Sequence, residues 1–197
     1  MKEPQELLVA TRNRHKTEEI AAMLGDRFRV RDLSAVSGAP EVEETGTTFL
    51  ENARLKALGI SAVVSGLVLA DDSGLEVDAL GGAPGVYSAR YAGEDGNDTA
   101  NNAKLMLDMD GVENRTARFR CVMVLSHGDD VLGEFDGSVE GRIADAARGG
   151  GGFGYDPFFV PDGHNETFAE LGAEVKNTLS HRARALEKLM RWLETEK

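Results

Sequence analysis

The chain alternates short apolar runs with amphipathic stretches. Leu7, Leu8, Val9 and Ala10 form a first buried run, and after Thr11 to Lys16 an amphipathic helix continues through Leu24, with Gly25 as its stop. Phe28 to Leu33 reads as a second strand. Thr48 and Glu51 have the spacing of a capping box, and the helix they open continues to about Val64. Phe49, Ala53, Ala57, Ile60 and Val64 recur at steps of three and four, so one face packs on a core, while Asn52 and Lys56 lie off that face. Val68, Leu69 and Ala70 read as a strand covered on both sides. Asp98 and Thr99 can cap a third helix through Met109. Thr116 to Ser126 and Val131 to Val139 read as a hairpin turning at His127 to Asp130, with Ala117, Phe119, Cys121, Met123 and Leu125 alternating onto one face. Phe158 to Val160 is a further strand, and a last helix begins after Ser180 with Leu179, Ala183, Leu186, Met190 and Leu193 on one side. Strands interleaved with helices predict an α/β fold.

Composition narrows the function classes. With 197 residues, 41% of them hydrophobic, the chain suits one compact domain or two intimately joined lobes, and disorder is excluded as its general state. A net charge of -12 argues against long polyanions such as DNA or RNA as partners. A small nucleotide stays admissible, because a local cluster of cations or a bound metal dominates at short range when distant charges are screened over roughly 8 to 10 Å. The single cysteine, Cys121, lies in an apolar run and reads as a core residue. The N-terminus, MKEPQELLVA, is too short and too acidic for a signal peptide, and no apolar stretch is long enough to span a bilayer. The expectation is a soluble, cytoplasmic protein.

Candidate chemistry gathers at four places. Asp71 and Asp72 follow a buried strand and would sit at its C-terminal mouth, where α/β sheets bind ligands; Asp-Asp-Ser-Gly is equally ordinary turn chemistry. If the strand continues through them, their side chains point to opposite faces. The loop from Thr11 to Lys16 offers hydrogen-bonding groups, a point charge and helix N-terminal amides, which together suit a phosphate; its cations are equally able to sit idle in water. Glu44, just before the second helix, could reach a metal shared with the aspartates, or belong to an ordinary solvated acidic loop. Ser88 and Arg90 sit in a long loop as ligand contacts, or the arginine merely stacks on a surface ring. Gly149, Gly151 and Gly154 match a dinucleotide fingerprint formally, but a strand rather than a helix follows, so the glycine run presents Phe153 and Tyr155 either as a stacking platform for a base or as anchors into the core. Lys16 and Arg182 are both cations at helix starts, where the macrodipole disfavours them, and one shared anionic ligand would answer both.

Together, ATRNRHK, EETGTTFLENARLKA, ADDSGLEVDALGGAPGVYSARYAG, GGFGYDPFF, TFAEL and SHRARAL resemble the inosine triphosphate pyrophosphatase family, also called Ham1-like or dITP/XTP pyrophosphatases. The resemblance implies one nucleoside-triphosphate pyrophosphatase domain over residues 1–197. It implies an elongated mixed central sheet flanked by helices, two lobes with the active cleft between them, and a homodimer. The implied activity is Mg2+-dependent hydrolysis of the deaminated purine nucleotides ITP, dITP and XTP to the monophosphate and pyrophosphate. Thr11, Arg12, Asn13, Arg14, His15 and Lys16 match the triphosphate-binding loop. Glu44 and Asp72 match the metal-binding acids, with Asp72 and Lys16 catalytic and Ser73 a substrate contact. Phe153, Gly154, Tyr155, Asp156, Lys176, His181 and Arg182 match the nucleoside pocket. Inosine and xanthine carry a carbonyl acceptor at C6 where adenine carries an amino donor, so donors such as Lys176 or Arg182 would favour the former.

Overall fold

The computed structural model describes residues 4–195, so the first three residues of the N-terminal stretch weighed as a signal peptide lie outside the described range. In chain order the elements are β1 (Gln5–Val9), α1 (Arg14–Leu24), β2 (Phe28–Asp32), α2 (Phe49–Ser61), β3 (Leu67–Val77), α3 (Asp98–Asp108), β4 (Thr116–His127), β5 (Asp130–Ile143), β6 (Phe159–Pro161), α4 (Phe168–Leu179) and α5 (His181–Thr195). The strands form one mixed sheet, ordered β2-β1-β3-β4-β5-β6, flanked by helices in the predicted α/β manner. β1 runs parallel to both β2 and β3, whereas β6 is antiparallel to β5.

Local chemistry explains most helix starts. Asn13 caps α1 by accepting the Lys16 N–H, and Thr48 and Glu51 form the predicted capping box of α2. The third helix starts differently from expectation: Asn97 is the cap, accepting the Ala100 N–H, and Asp98 is already helical, which releases its carboxylate for another partner. A helix not predicted, α4, is opened by a second capping box, Thr167 with Glu170, and bends at Gly172. β4 alternates only at its start; from Cys121 to Ser126 every position is buried, as in a strand covered on both faces.

The main departure from the sequence reading concerns Asp71 and Asp72. They do not end a strand, because β3 continues without a break to Val77. What ends near them is β1, whose pairing with β3 stops at Val9 opposite Leu69. The mouth that the aspartates adjoin is therefore that of β1, where the chain leaves for α1. The turn-forming letters Ser73-Gly74 are overridden by packing. Ser88 Oγ accepts the Leu75 N–H at 2.9 Å and donates to the Gly85 carbonyl at 2.6 Å, so this loop lies directly against the strand. Gly74 permits the approach, since a Cβ there would meet both Gly85 O and Ser88 Oγ at 2.4 Å.

The chain divides into two compact units. The first contains the residues up to Asp72, Cys121–Gly137 and the residues from Arg182 onward, around a core that includes Val9, Ile20, Leu69, Met123 and Leu186. The second contains Ser73–Arg120 and Ser138–His181, around Leu75, Leu105, Phe119, Phe159 and Phe168.

Gly74→Ala is expected to destabilise the protein by about 1–3 kcal/mol, as overpacking against backbone does. Urea denaturation measures it; an unchanged midpoint would contradict the close approach of the Ser88 loop.

Candidate active site

In the first unit, consecutive positions of β3 carry two carboxylates that are 2% and 5% exposed, Asp71 and Asp72. Strand alternation gives them different partners. Asp71 Oδ2 receives Lys16 Nζ at 3.1 Å and an Arg182 guanidinium nitrogen at 3.3 Å. Arg182 also pairs with Glu19. The two cations at helix starts thus share one anion, but where the sequence pointed to a ligand, that anion is the protein's own Asp71. Burial alone would raise the Asp71 pKa, but Lys16, Arg182 and Lys56 outweigh it and hold the carboxyl well below the usual range. Burial likewise works against the Arg182 charge, and Asp71 and Glu19 overcome it, so the guanidinium is bound more firmly to its proton than in water.

Asp72 faces another set. Lys56 Nζ donates to Asp72 Oδ1 at 3.0 Å and to Glu44 Oε1 at 2.9 Å. Asn52, completely buried, donates from Nδ2 to Asp72 Oδ2 at 3.3 Å and accepts the Gly46 N–H at Oδ1 at 2.8 Å. One amide therefore fixes both the catalytic candidate and the loop that carries Glu44. Burial, reinforced by the Glu44 charge, raises the Asp72 pKa against the pull of Lys56 and Lys16. For Lys56 burial favours the neutral amine, but Asp72, Asp71 and Glu44 more than reverse this.

Asn52 and Lys56 complete this cluster, and the sequence reading gave neither a role. Their signal was the i, i+4 spacing off the apolar face of α2, where a polar pair normally faces water. Here it faces Asp72.

Among the described residues no three His, Cys, Asp or Glu side chains group as a ready metal cage. Two carboxylates on a single ammonium nevertheless fit Mg2+, which takes one or two protein carboxylates and fills its shell with waters and phosphate oxygens.

The phosphate-loop candidates are placed unevenly. Thr11 Oγ1 accepts the Asn13 N–H at 3.0 Å, and Asn13 is spent on the helix cap. Arg12 donates to the Ala39 carbonyl at 3.0 Å. Arg14 is 86% exposed and pairs with Glu18 along α1, and His15 is exposed in the same first turn. Of these, Lys16 reaches the aspartates, through Asp71. Ser73 is half-buried on β3.

The second unit gathers the glycine-loop candidates around Asp156. Its Oδ2 receives Lys176 Nζ at 2.6 Å and the Phe153 N–H at 2.9 Å, and Lys176 Nζ lies 4.7 Å from the centre of the Phe153 ring. Gly152, at φ +74°, leaves the room that this carboxylate occupies. Tyr155 is buried and donates its hydroxyl to the Ser88 carbonyl at 2.8 Å, so it anchors the loop, while Phe153 is half-buried. His181 stacks on Phe119, centroids 4.9 Å apart. Arg182, grouped with these residues in the sequence reading, belongs to the first unit beside Asp71. Ser88 bonds backbone, and Arg90 lies over the Tyr87 ring at 5.3 Å, a stacking contact of the kind considered for it.

Residues 7–192 match the model of the Ham1 family. The dITP/XTP pyrophosphatase of Bacillus licheniformis is 50% identical over 188 residues, covering 94% of this chain and 96% of that protein. That of Geobacter sulfurreducens is 53% identical over 184 residues, covering 91% and 92%. Among solved structures, the Staphylococcus aureus Ham1 protein superposes with a TM-score of 0.87 at 42% identity, covering 98% of this chain and 100% of that one.

Asn52→Leu removes one amide from a buried carboxylate and a half-buried backbone N–H. It is expected to cost about 1–3 kcal/mol, the usual penalty for orphaning buried polar groups. Denaturant unfolding checks this, and a midpoint equal to wild type would contradict the bridging role.

Proposed function

This chain belongs to the Ham1 family, and from that premise we propose that it is a Mg2+-dependent pyrophosphatase of deaminated purine nucleoside triphosphates. ITP, dITP and XTP would be cut between the α and β phosphates to the monophosphate and pyrophosphate. The observation that carries this reading is that Lys56 holds Glu44 and Asp72 on one ammonium, at 2.9 and 3.0 Å, beside a raised Asp72 pKa. Two acids so placed suit a single divalent ion, and a carboxylate whose proton affinity is raised by burial, as that of Asp72 is, suits proton acceptance.

Glu44 and Asp72 would hold the ion, which when bound supplies charge neutralisation at the phosphate oxygens. Asp72 takes the proton of the attacking water. Lys16 offers its charge to the polyphosphate while Arg182 remains on Asp71, so that carboxylate is not stranded when Lys16 turns to substrate. Thr11, Asn13 and the first amides of α1, with Arg12, Arg14 and His15 nearby in the chain, form the polyphosphate loop, and Ser73 adds a contact. Phe153 stacks on the base, and Gly154, Tyr155, Asp156, Lys176 and His181 frame it. Lys176, a donor lying over the Phe153 ring, favours a C6 carbonyl over an amino group. A cytoplasmic homodimer with no nucleic-acid polymer or membrane partner belongs to the same proposal, supported by the resemblance; no helix among the described residues is long and apolar enough to cross a membrane.

Chromatography of the products is the test. ITP and XTP are expected to give monophosphate and pyrophosphate, with turnover abolished by EDTA and restored by Mg2+, and with ATP at least roughly tenfold slower, as a mispaired polar edge costs. Orthophosphate plus a diphosphate, or equal rates on ATP, would overturn the reading.

A further inference from the structure

The loop that carries Phe153 is gripped from outside by α3, at a single residue and on both sides. Gly154 donates its N–H to Asp98 Oδ2 at 2.7 Å, and its carbonyl accepts from Asn102 Nδ2 at 2.9 Å. Asp98 and Asn102 are one helical turn apart, so one face of α3 presents a carboxylate and an amide at the separation of the two peptide groups flanking Gly154. Gly154 sits at φ +60° with open space where a side chain would be, which makes it the soft pivot between Phe153 and Tyr155. The far side of that pivot is already tied down, because Tyr155 bonds the Ser88 carbonyl. The near side carries the Phe153 ring.

Two features mark the grip as more than ordinary helix chemistry. A carboxylate at a helix start usually caps its own helix, yet here Asn97 does that work and Asp98 points at the loop instead. Asn102, for its part, is oriented at a cost. With Nδ2 on Gly154, its Oδ1 is buried and has no hydrogen-bond partner among the described residues. The opposite amide orientation would set Oδ1 against the Gly154 carbonyl, so the unsatisfied acceptor is the consequence of holding the loop. A group kept at a loss of stability points to function.

We propose that Asp98 and Asn102 are positioning residues for nucleoside recognition, fixing the Gly154 peptide so that Phe153 is preorganised for the base. This rests on the nucleoside reading of the Phe153 to Asp156 loop given under the proposed function. Neither residue touches substrate; each acts through Gly154.

The test is calorimetric binding of ITP and, separately, of inorganic tripolyphosphate, with melting temperature and steady-state turnover measured on the same samples. Asp98→Ala and Asn102→Leu are each expected to weaken ITP binding roughly 3- to 10-fold, the worth of one hydrogen bond, and to raise KM with kcat nearly unchanged. Tripolyphosphate binding should not move, because it lacks the base. Asp98→Asn should stay near wild type, since it keeps an acceptor for Gly154 while losing the same charge as Asp98→Ala. Asn102→Leu should melt no lower than wild type, because it also removes the orphaned acceptor. Unchanged ITP affinity in both variants, or equal losses for ITP and tripolyphosphate, would overturn the proposal. If wild type binds ITP without releasing pyrophosphate, the hydrolase reading fails and the ITP affinities still decide the role of the grip.

Discussion

A carboxylate taken out of water costs several kcal/mol unless cations and hydrogen bonds answer it, and the first unit carries two of them on adjacent residues of one strand. Were Asp71 and Asp72 on the same face, their mutual repulsion would force one to take a proton. Strand alternation separates them, and each then recruits its own compensation: Lys16 from α1 and Arg182 from α5 for Asp71, Lys56 and Asn52 from α2 for Asp72. The starts of two helices and the polar face of a third are thus explained by the demands of two strand residues. Cations at helix starts, unfavourable in isolation, become the means by which a buried acid is tolerated.

The two sets of partners also make the acids chemically different. Asp71, facing two cations in a dry environment, is locked in its ionised form and is suited to holding Lys16 and Arg182 in place. Asp72 shares its ammonium with Glu44 and has its proton affinity raised by burial, which suits a group that must accept a proton and release it again. Lys56 links the irregular acidic segment to the sheet, and Asn52 repeats that link through Gly46, so the position of Glu44 is set twice. In the second unit Asp156 plays the corresponding part, neutralising Lys176 and fixing the Phe153 amide with the same oxygen.

Much of this was legible in the chain. Apolar periodicity located α1, α2 and α5, the capping box of α2 formed as spaced, and the hairpin strands and the α/β class followed from pattern alone. The misses share a physical cause, which is that tertiary contacts override local preference. Asp-Asp-Ser-Gly has turn propensity, but Ser88 bonding Leu75 extends the strand through it. The polar pair Asn52 and Lys56 reads as a wet helix face, and only the neighbouring Asp72 makes it a buried one. The ion pairs of Arg182 were illegible for the same reason, since its partners Asp71 and Glu19 are 111 and 163 residues away in sequence, beyond any local signal. The start of α4 was legible in Thr167 and Glu170, a capping-box spacing left unread beside the glycine run.

The central claim is that adjacent acids on one strand divide the work, Asp71 holding charges in place and Asp72 moving a proton. Measuring melting temperature and kcat for ITP in Asp71→Asn and Asp72→Asn side by side tests it directly. The account predicts that Asp72→Asn loses turnover by roughly 100-fold or more, as removal of a general base does, while staying folded. Asp71→Asn should instead melt well below wild type, because Arg182 and Lys16 lose their shared anion, and should retain more turnover at temperatures where it is folded. Equal losses of turnover at equal stability would contradict the division.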